Sequence, residues 1–213
     1  MYPKKSGIFL DKIFIYSYNK INIDPRKDFF MKLLIASDIH GSADYCAQLV
    51  NAIQREKPDR ILLLGDLLYH GPRNDLPLGY APKKVIEILN AMASDLLCVR
   101  GNCEAEVDQM VLSFPVLADY AWLDVNGIRI FATHGHHHGE TNPPPMKKGD
   151  VLLCGHTHVP AWKDMGDFYY LNPGSVSIPK ENSAHGYMIL DGRQFQWKDL
   201  DGNVYHTLSM GEA

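Results

Sequence analysis

Five times in this sequence a short apolar run stops abruptly at a glycine that sits near a carboxylate, a carboxamide or an imidazole. Leu33-Leu34-Ile35-Ala36 leads through Ser37 into Asp38-Ile39-His40-Gly41. Arg60-Ile61-Leu62-Leu63-Leu64 ends in Gly65-Asp66, and Leu96-Leu97-Cys98-Val99 ends in Arg100-Gly101-Asn102-Cys103-Glu104. Ile128–Thr133 ends in His134-Gly135-His136-His137-His138, and Val151–Cys154 ends in Gly155-His156-Thr157-His158. Apolar runs of about four to eight residues closed by a turn signal read as buried strands of a parallel sheet. In open α/β sheets, ligands bind beyond the carboxyl ends of the strands. Alternate residues of an extended segment point the same way, so Asp38 and His40 can aim a carboxylate and an imidazole at one point. One such step is equally an ordinary strand end with Ser42 capping the next helix. Its recurrence is what constrains the chain.

The intervening segments fit that frame. Ala43–Glu56 has the apolar stripe of a helix (Leu49, Val50, Ile53), broken by Pro58-Asp59. A β-α-β crossover of this length favours parallel neighbours, which puts Asp66 at the same sheet edge as Asp38. The polar loop Leu67–Ala81 holds Tyr69-His70-Gly71-Pro72-Arg73-Asn74, and loops of this length are uncommon without a task. Pro82–Ser94 reads as a second helix with Val85, Ile86 and Leu89 inward. Asn126-Gly127 makes a hairpin of Tyr120–Val125 and Ile128–Thr133. Short strands are expected at Ala161–Met165, Phe168–Leu171, Tyr187–Leu190 and Phe195–Lys198. Early βαβ units followed by a β-rich half predict an α/β fold in which two sheets face each other with helices outside. Residues 1–30 lack clean periodicity and carry a basic start without a small-residue cleavage site. They are expected to be a poorly ordered N-terminal extension ahead of a single domain over residues 31–213. The alternative is an extra strand at Ile13-Phe14-Ile15-Tyr16.

A chain of 213 residues suffices for one sizeable α/β domain. Its net charge of -4 argues against a general nucleic-acid or membrane-surface binder. The four cysteines form no C-x-x-C pair, which suggests neither a zinc knuckle nor a disulfide scaffold, and a reducing, cytoplasmic compartment fits them. The strand ends carry seven metal-friendly positions: Asp38, His40, Asp66, Asn102, His134, His156 and His158. All offer nitrogen or oxygen, a donor set suited to Mn, Fe(II), Co or Zn. Seven ligands exceed one tetrahedral site and suit two ions sharing a carboxylate. Two ions about 3.5–4 Å apart can clamp the attacking and leaving oxygens of an in-line displacement.

The series D-x-H, G-D, G-N-C-E, T-H-G-H and G-H-T-H, in this order, resembles the calcineurin-like metallophosphoesterases. The segments Gly65–Asn74 and Asn172–Lys180 are similar to those of the bacterial YfcE-type phosphodiesterases, and the resemblance runs from Met31 to about Asp199. It implies a four-layer αββα sandwich, two mixed β-sheets flanked by helices, and a homo-oligomer. One ion would take Asp38, His40, Asp66 and His158; the other would take Asp66, Asn102, His134 and His156, with Asp66 bridging. The expected activity is hydrolysis of a small-molecule or nucleotide-like phosphodiester by a hydroxide held between the ions, with Asp66, Asn102 and His134 activating it. The expected ions are two divalent metals, manganese first, with cobalt, nickel, iron or zinc as alternatives. Many larger relatives have a histidine where this chain has Cys103; the small members carry cysteine there, usually followed by Asp rather than Glu104. A free thiol of pKa about 8.5 is a poor proton donor for the leaving group. His70, Arg73 and His136 therefore stand beside Cys103 as candidates for that help, whereas His137 and His138 read as surface or substrate-mouth residues. Asn172-Pro173-Gly174-Ser175 is expected to form a tight turn near the pocket, as a brace or a substrate contact.

The competing expectations are a phosphomonoesterase or nucleotide phosphatase of the same fold, and a non-catalytic interaction scaffold. His134-x-His136-x-His138 also resembles the H-x-H motif of metallo-β-lactamase-type hydrolases, but that reading leaves Asp38, Asp66 and Asn102 idle.

Overall fold

Every apolar run that precedes a polar cluster is a strand in the computed structural model, which describes residues 30–211. Strand β1 (Leu33–Ala36) is buried along its whole length and pairs in parallel with β2 (Arg60–Leu63). Helix α1 (Ala43–Glu56) joins them; Ser42 caps it by accepting from the Tyr45 amide at 3.2 Å. Strand β3 (Leu96–Cys98) continues the parallel set after helix α2 (Pro82–Asn90). Helix α2 stops short of the expected Ser94, and a 3₁₀ turn at Ala93–Asp95 turns the chain into β3. A short helix α3 (Glu106–Val111), not expected, follows.

The second half supplies β4 (Tyr120–Val125), β5 (Ile128–Thr133), β6 (Asp150–Leu153), β7 (Pro160–Asp164) and β8 (Phe168–Pro173). It then adds β9 (Gly186–Asp191), β10 (Gln194–Asp199) and β11 (Val204–Ser209). The strands make two mixed sheets, ordered β11-β10-β9-β1-β2-β3 and β4-β5-β6-β8-β7. In the second sheet β5, β6 and β8 run parallel, and the Asn126-Gly127 hairpin has the expected register, Val125 opposite Ile128. The last three strands return to the first sheet: β9 pairs antiparallel with β1. Strand β11 escaped sequence reading because it is a half-exposed edge whose His206, Thr207 and Ser209 blunt the apolar alternation.

Alternation within β1 and β2 builds two cores. Leu34, Ala36, Ile61 and Leu63 face outward, onto Cys46, Leu49 and Ala52 of α1 and Val85 and Leu89 of α2. The α1 stripe is thus centred on Cys46, Leu49 and Ala52, with Ile53 at its flank. Leu33, Ile35, Leu62 and Leu64 face inward, onto Ile130, Ala132, Val151 and Leu153 of the second sheet. Each such buried aliphatic side chain contributes about 1.5–3 kcal/mol relative to leaving it exposed. The outer face of the second sheet carries Phe131, Leu152, Phe168 and Tyr170. It is covered by the non-helical segment between β5 and β6, where Met146 packs on the cluster and the His138 ring meets Phe131 edge-on at 5.7 Å. The helices therefore lie on one sheet, and a loop forms the layer over the other. The proposed N-terminal extension lies outside the described residues, apart from Phe30. No helix among the described residues is long and apolar enough to cross a membrane.

Candidate metal centre

The turns beyond β1, β2 and β6 are unusually tight. Nine described non-glycine residues have positive φ, and five of them are expected ligands: Asp38 (59°), His40 (49°), Asp66 (55°), His156 (66°) and His158 (62°). Left-handed backbone at a bulky residue costs on the order of 1–3 kcal/mol and persists only where its surroundings over-determine it. Here they do. The amides of Asp38, His40 and Gly41 donate to the carbonyls of Gly65, Asp66 and Leu67, lacing the first turn to the second. Ser175 and Ser177 hydroxyls both donate to the Asp38 carbonyl, at 2.9 and 3.0 Å. The buried Glu104 carboxylate accepts from the amides of Asp66 (2.8 Å), Leu67 (2.7 Å) and Gly101, which ties the second turn to the third. Gly101 and Gly155 are needed for closeness: a Cβ on the first would strike Asp66, and on the second Ser37 and the Asp38 carboxylate.

These turns bring all seven expected positions together. His40 Nδ1 lies 2.7 Å from the Tyr69 carbonyl, His134 Nδ1 2.7 Å from that of Leu64, and His158 Nδ1 2.8 Å from that of Ile178. A carbonyl only accepts, so each Nδ1 carries a proton and each Nε2 turns its other face to the centre. There His40 Nε2 and His158 Nε2 stand 3.2 Å apart, at 3.4 and 3.2 Å from Asp38 Oδ1. His134 Nε2 lies 3.3 Å from Asp66 Oδ2, 3.2 Å from Asn102 Oδ1 and 3.3 Å from His156 Nδ1. Asp66 is also 3.7 Å from His40 Nε2, so two groups of donors meet at one carboxylate. Asp38 Oδ1 is buried and has no hydrogen-bond partner. Lone pairs and carboxylate oxygens gathered this closely fit divalent cations, and among the described residues no Lys or Arg pairs with either aspartate.

Without a cation, protons fill that role. Burial opposes charge on Asp38, but the His158 and His40 rings against it and the charge of His134 outweigh it and hold the carboxyl well below the usual range. Asp66 is lowered in the same way, against burial, chiefly through His134. Burial works against a charged His134, yet the Asp66 hydrogen bond and the charges of both aspartates push its ring up to about 9. His156 is lowered by burial and by the charge of His134. A folded-state pKa raised from 6.5 to about 9 contributes stability that is complete below pH 6.5 and is lost as pH rises towards 9. Metal-free protein should therefore lose up to about 3 kcal/mol from this group over that window. Thermal unfolding measured with and without Mn²⁺ checks it: the stabilisation by metal should grow across the same window, as the ion replaces the proton. A metal-induced rise in Tm that shrinks from pH 6.5 to 9 would contradict the exchange.

The remaining candidates are scattered. The Cys103 thiol lies beside His40 and Asp66, and the Cys103 amide donates to Asp66 Oδ1 at 2.9 Å. Burial and the charge of Asp66 push that thiol up, so it stays protonated. Arg73 lines a cavity of about 40 Å³ together with Asp66, Asn102, Cys103, His156 and His158. His70 lies outside that lining, its ring edge-on to Tyr69 and Tyr80. His136 also lies outside it, 5.5 Å from the His134 ring, and burial and the His134 charge lower it to about 4. His137 is exposed. The sequence gives Glu104 and Lys180 no task at the site and expects Asn172 in a tight turn near the pocket, as a brace or a substrate contact. Asn172 donates to the Gly155 carbonyl at 2.7 Å and accepts from Gly174 at 2.8 Å, so the Asn-Pro-Gly-Ser turn braces the Gly155–His158 turn. Lys180 stands at the cavity's edge.

The family model of the calcineurin-like phosphoesterase superfamily domain matches residues 31–194. Phosphodiesterase YfcE of Escherichia coli K12 is 47% identical over 161 residues, 76% of this chain and 88% of that protein. The probable metallophosphoesterase YsnB of Bacillus subtilis is 24% identical over 189 residues, 84% of this chain and 96% of that protein. The solved structure of the E. coli phosphoesterase YfcE superposes with a TM-score of 0.82 at 42% identity, covering 85% of this chain and all (100%) of that one. Zinc-complexed Vps29 of Entamoeba histolytica, at 20% identity, a TM-score of 0.57 and coverage of 85% of this chain and 100% of that one, shares the fold alone. Family model, close relative and superposition agree: this chain belongs to the calcineurin-like phosphoesterase superfamily.

Proposed function

We propose that this chain is a phosphodiesterase with a dinuclear centre. One ion would be held by Asp38, His40, Asp66 and His158, the other by Asp66, Asn102, His134 and His156. The observation that carries this reading is the set of three imidazoles whose Nδ1–H groups are already committed to backbone carbonyls, aimed at two carboxylates of which Asp38 Oδ1 has no donor. The all-nitrogen-and-oxygen set suits manganese or a neighbouring first-row ion. Bound there, two divalent ions supply a nucleophile from water near neutral pH and neutralise charge on the transferring phosphoryl group.

The chain's own residues orient and exclude. Asn102 donates from Nδ2 to Cys103 Sγ at 3.3 Å, which leaves Oδ1 turned to His134 and the second ion. Asn102 is exposed and His156 half-buried, so the second set of donors would hold its ion on the cavity side, whereas Asp38, His40 and His158 are buried. Cys103 stays a neutral thiol at the edge, so leaving groups that depart as stable anions are favoured. The E. coli relative, named a phosphodiesterase, supports a diester as substrate. The four free cysteines support a reducing, cytoplasmic setting.

The test is hydrolysis of a chromogenic phosphodiester and its monoester by metal-stripped protein, with Mn, Co, Ni, Zn or Mg returned singly. Diesterase activity should return with manganese and fall at least about 100-fold in His156→Ala, in line with the loss of a group that acts on the transition state. Faster monoester hydrolysis would replace the reading with a phosphomonoesterase. Absence of metal binding would replace it with a scaffold.

A further inference from the structure

Two cationic side chains line the cavity beside the candidate metal centre. Arg73 comes from the loop after β2, Lys180 from the loop after β8, and both line the same cavity as Asp66 and Asn102. Both are exposed, and among the described residues neither belongs to an ion pair, although Asp75 and Glu181 are close in sequence. Their backbones are anchored. The Lys180 amide donates to the His158 carbonyl at 3.1 Å, and its carbonyl accepts from the Ser183 hydroxyl at 2.6 Å. Asn74, next to Arg73, closes its turn by donating from Nδ2 to the His70 carbonyl at 2.8 Å. The cavity is small, about 40 Å³. It accommodates the reacting group, and the ester arms of a substrate must extend outward past Arg73 and Lys180.

We infer that Arg73 and Lys180 form a second anion subsite, and that the preferred substrate is a phosphodiester carrying a further phosphate on one ester arm. The inference rests on the phosphodiesterase reading and deepens it. A simple diester brings one negative charge, which the centre itself compensates. Two more cations without protein counter-charges, in a chain of net charge -4, match an additional dianionic group. Arg73 can take two phosphate oxygens in a planar fork, while Lys180 supplies a compact point charge to the same group.

The test uses a matched pair: the p-nitrophenyl ester of thymidine 5′-phosphate with and without a 3′-phosphate. With Mn²⁺ present, the full-length protein should show kcat/KM at least about tenfold higher on the 3′-phosphorylated member. Lys180→Gln and Arg73→Gln should each cut that preference several-fold through KM, Lys180→Arg should restore most of it, and rising salt should erode it. A binding arm needs no metal and no turnover: calorimetry on metal-free protein should find thymidine 3′,5′-bisphosphate bound more tightly than thymidine 5′-monophosphate, with the difference reduced in both Gln variants. Equal kcat/KM for the two substrates, or a preference unchanged in both Gln variants, would overturn the subsite. If neither substrate is hydrolysed, the phosphodiesterase reading fails, and the binding arm alone then decides the subsite: the same difference between the two nucleotides in wild type and variants overturns it.

Discussion

Asp66→Asn should abolish diester hydrolysis and weaken both ions together. The Asp66 carboxylate lies between the two donor groups, 3.3 Å from His134 Nε2 and 3.7 Å from His40 Nε2, whereas Asp38 Oδ1 comes only to 4.0 Å from His134 Nε2. Its other oxygen already accepts from the Cys103 amide at 2.9 Å. In the variant the carboxamide oxygen keeps that amide bond, and the NH₂ then points at the centre, where it cannot ligate a cation. A bridging charge is lost with almost no change of shape. We expect kcat/KM to fall at least ~10³-fold, about 4 kcal/mol of barrier. A calorimetric titration with Mn²⁺ should show both binding steps weakened at least about tenfold. Weakening of one step alone would mean that Asp66 serves one ion, and near-normal turnover would sink the shared-carboxylate assignment.

Glu104→Gln should be the most damaging substitution outside the donor set. The Glu104 carboxylate is buried and accepts three backbone amides, those of Asp66, Leu67 and Gly101. A carboxamide has one accepting oxygen, so its NH₂ must face at least one of those N–H groups. Leaving a buried donor unsatisfied costs about 1–3 kcal/mol, and the facing donors add repulsion. A loss of about 3 kcal/mol would lower Tm by roughly 6–12 °C in a domain of this size. The turns holding Asp66 and Asn102 would loosen with it, and support of this kind around a metal is worth about 10–100-fold in affinity or activity. Glu104 also has a pH signature. Burial and the neighbouring Asp66 charge raise it to about 7 from 4.5. Its contribution to the stability of metal-free protein is complete below pH 4.5 and is lost as pH rises towards 7. Removing the titrating group should flatten that part of the profile, and an unaltered slope between pH 4.5 and 7 in Glu104→Gln would refute the assignment. Unchanged Tm in that variant would show that the three amides find other partners.

Much of the centre was legible because its chemistry is written at strand ends. The apolar runs before Asp38, Asp66, His134 and His156 announce where each strand stops, and the helix between β1 and β2 makes their carboxyl ends coincide. The hairpin at Asn126-Gly127 was legible for a local reason, since two residues set its register. Elements without a local signal were missed. Strand β11 has a weak pattern because one edge and one face meet solvent, and the short α3 has none of its residues buried. Glu104 was visible only as a neighbour of Asn102, because two of its partners are backbone amides 37 and 38 residues away, which no side-chain pattern encodes. Lys180 carries no local signal either; the loop after β8 puts it on the same cavity as Arg73.

The sequence by itself determined which donors exist, that oxygen and nitrogen dominate them, and that they follow the ends of buried strands. Those properties depend on residue type and on short apolar runs closed by turn signals. Only the tertiary structure decided which atom of each donor faces the centre. The Leu64 carbonyl that fixes the His134 ring is 70 residues away, and the Tyr69 carbonyl that fixes His40 is 29 away. An imidazole has two chemically similar nitrogens, and the one left to bind is set by the acceptor the fold brings to the other.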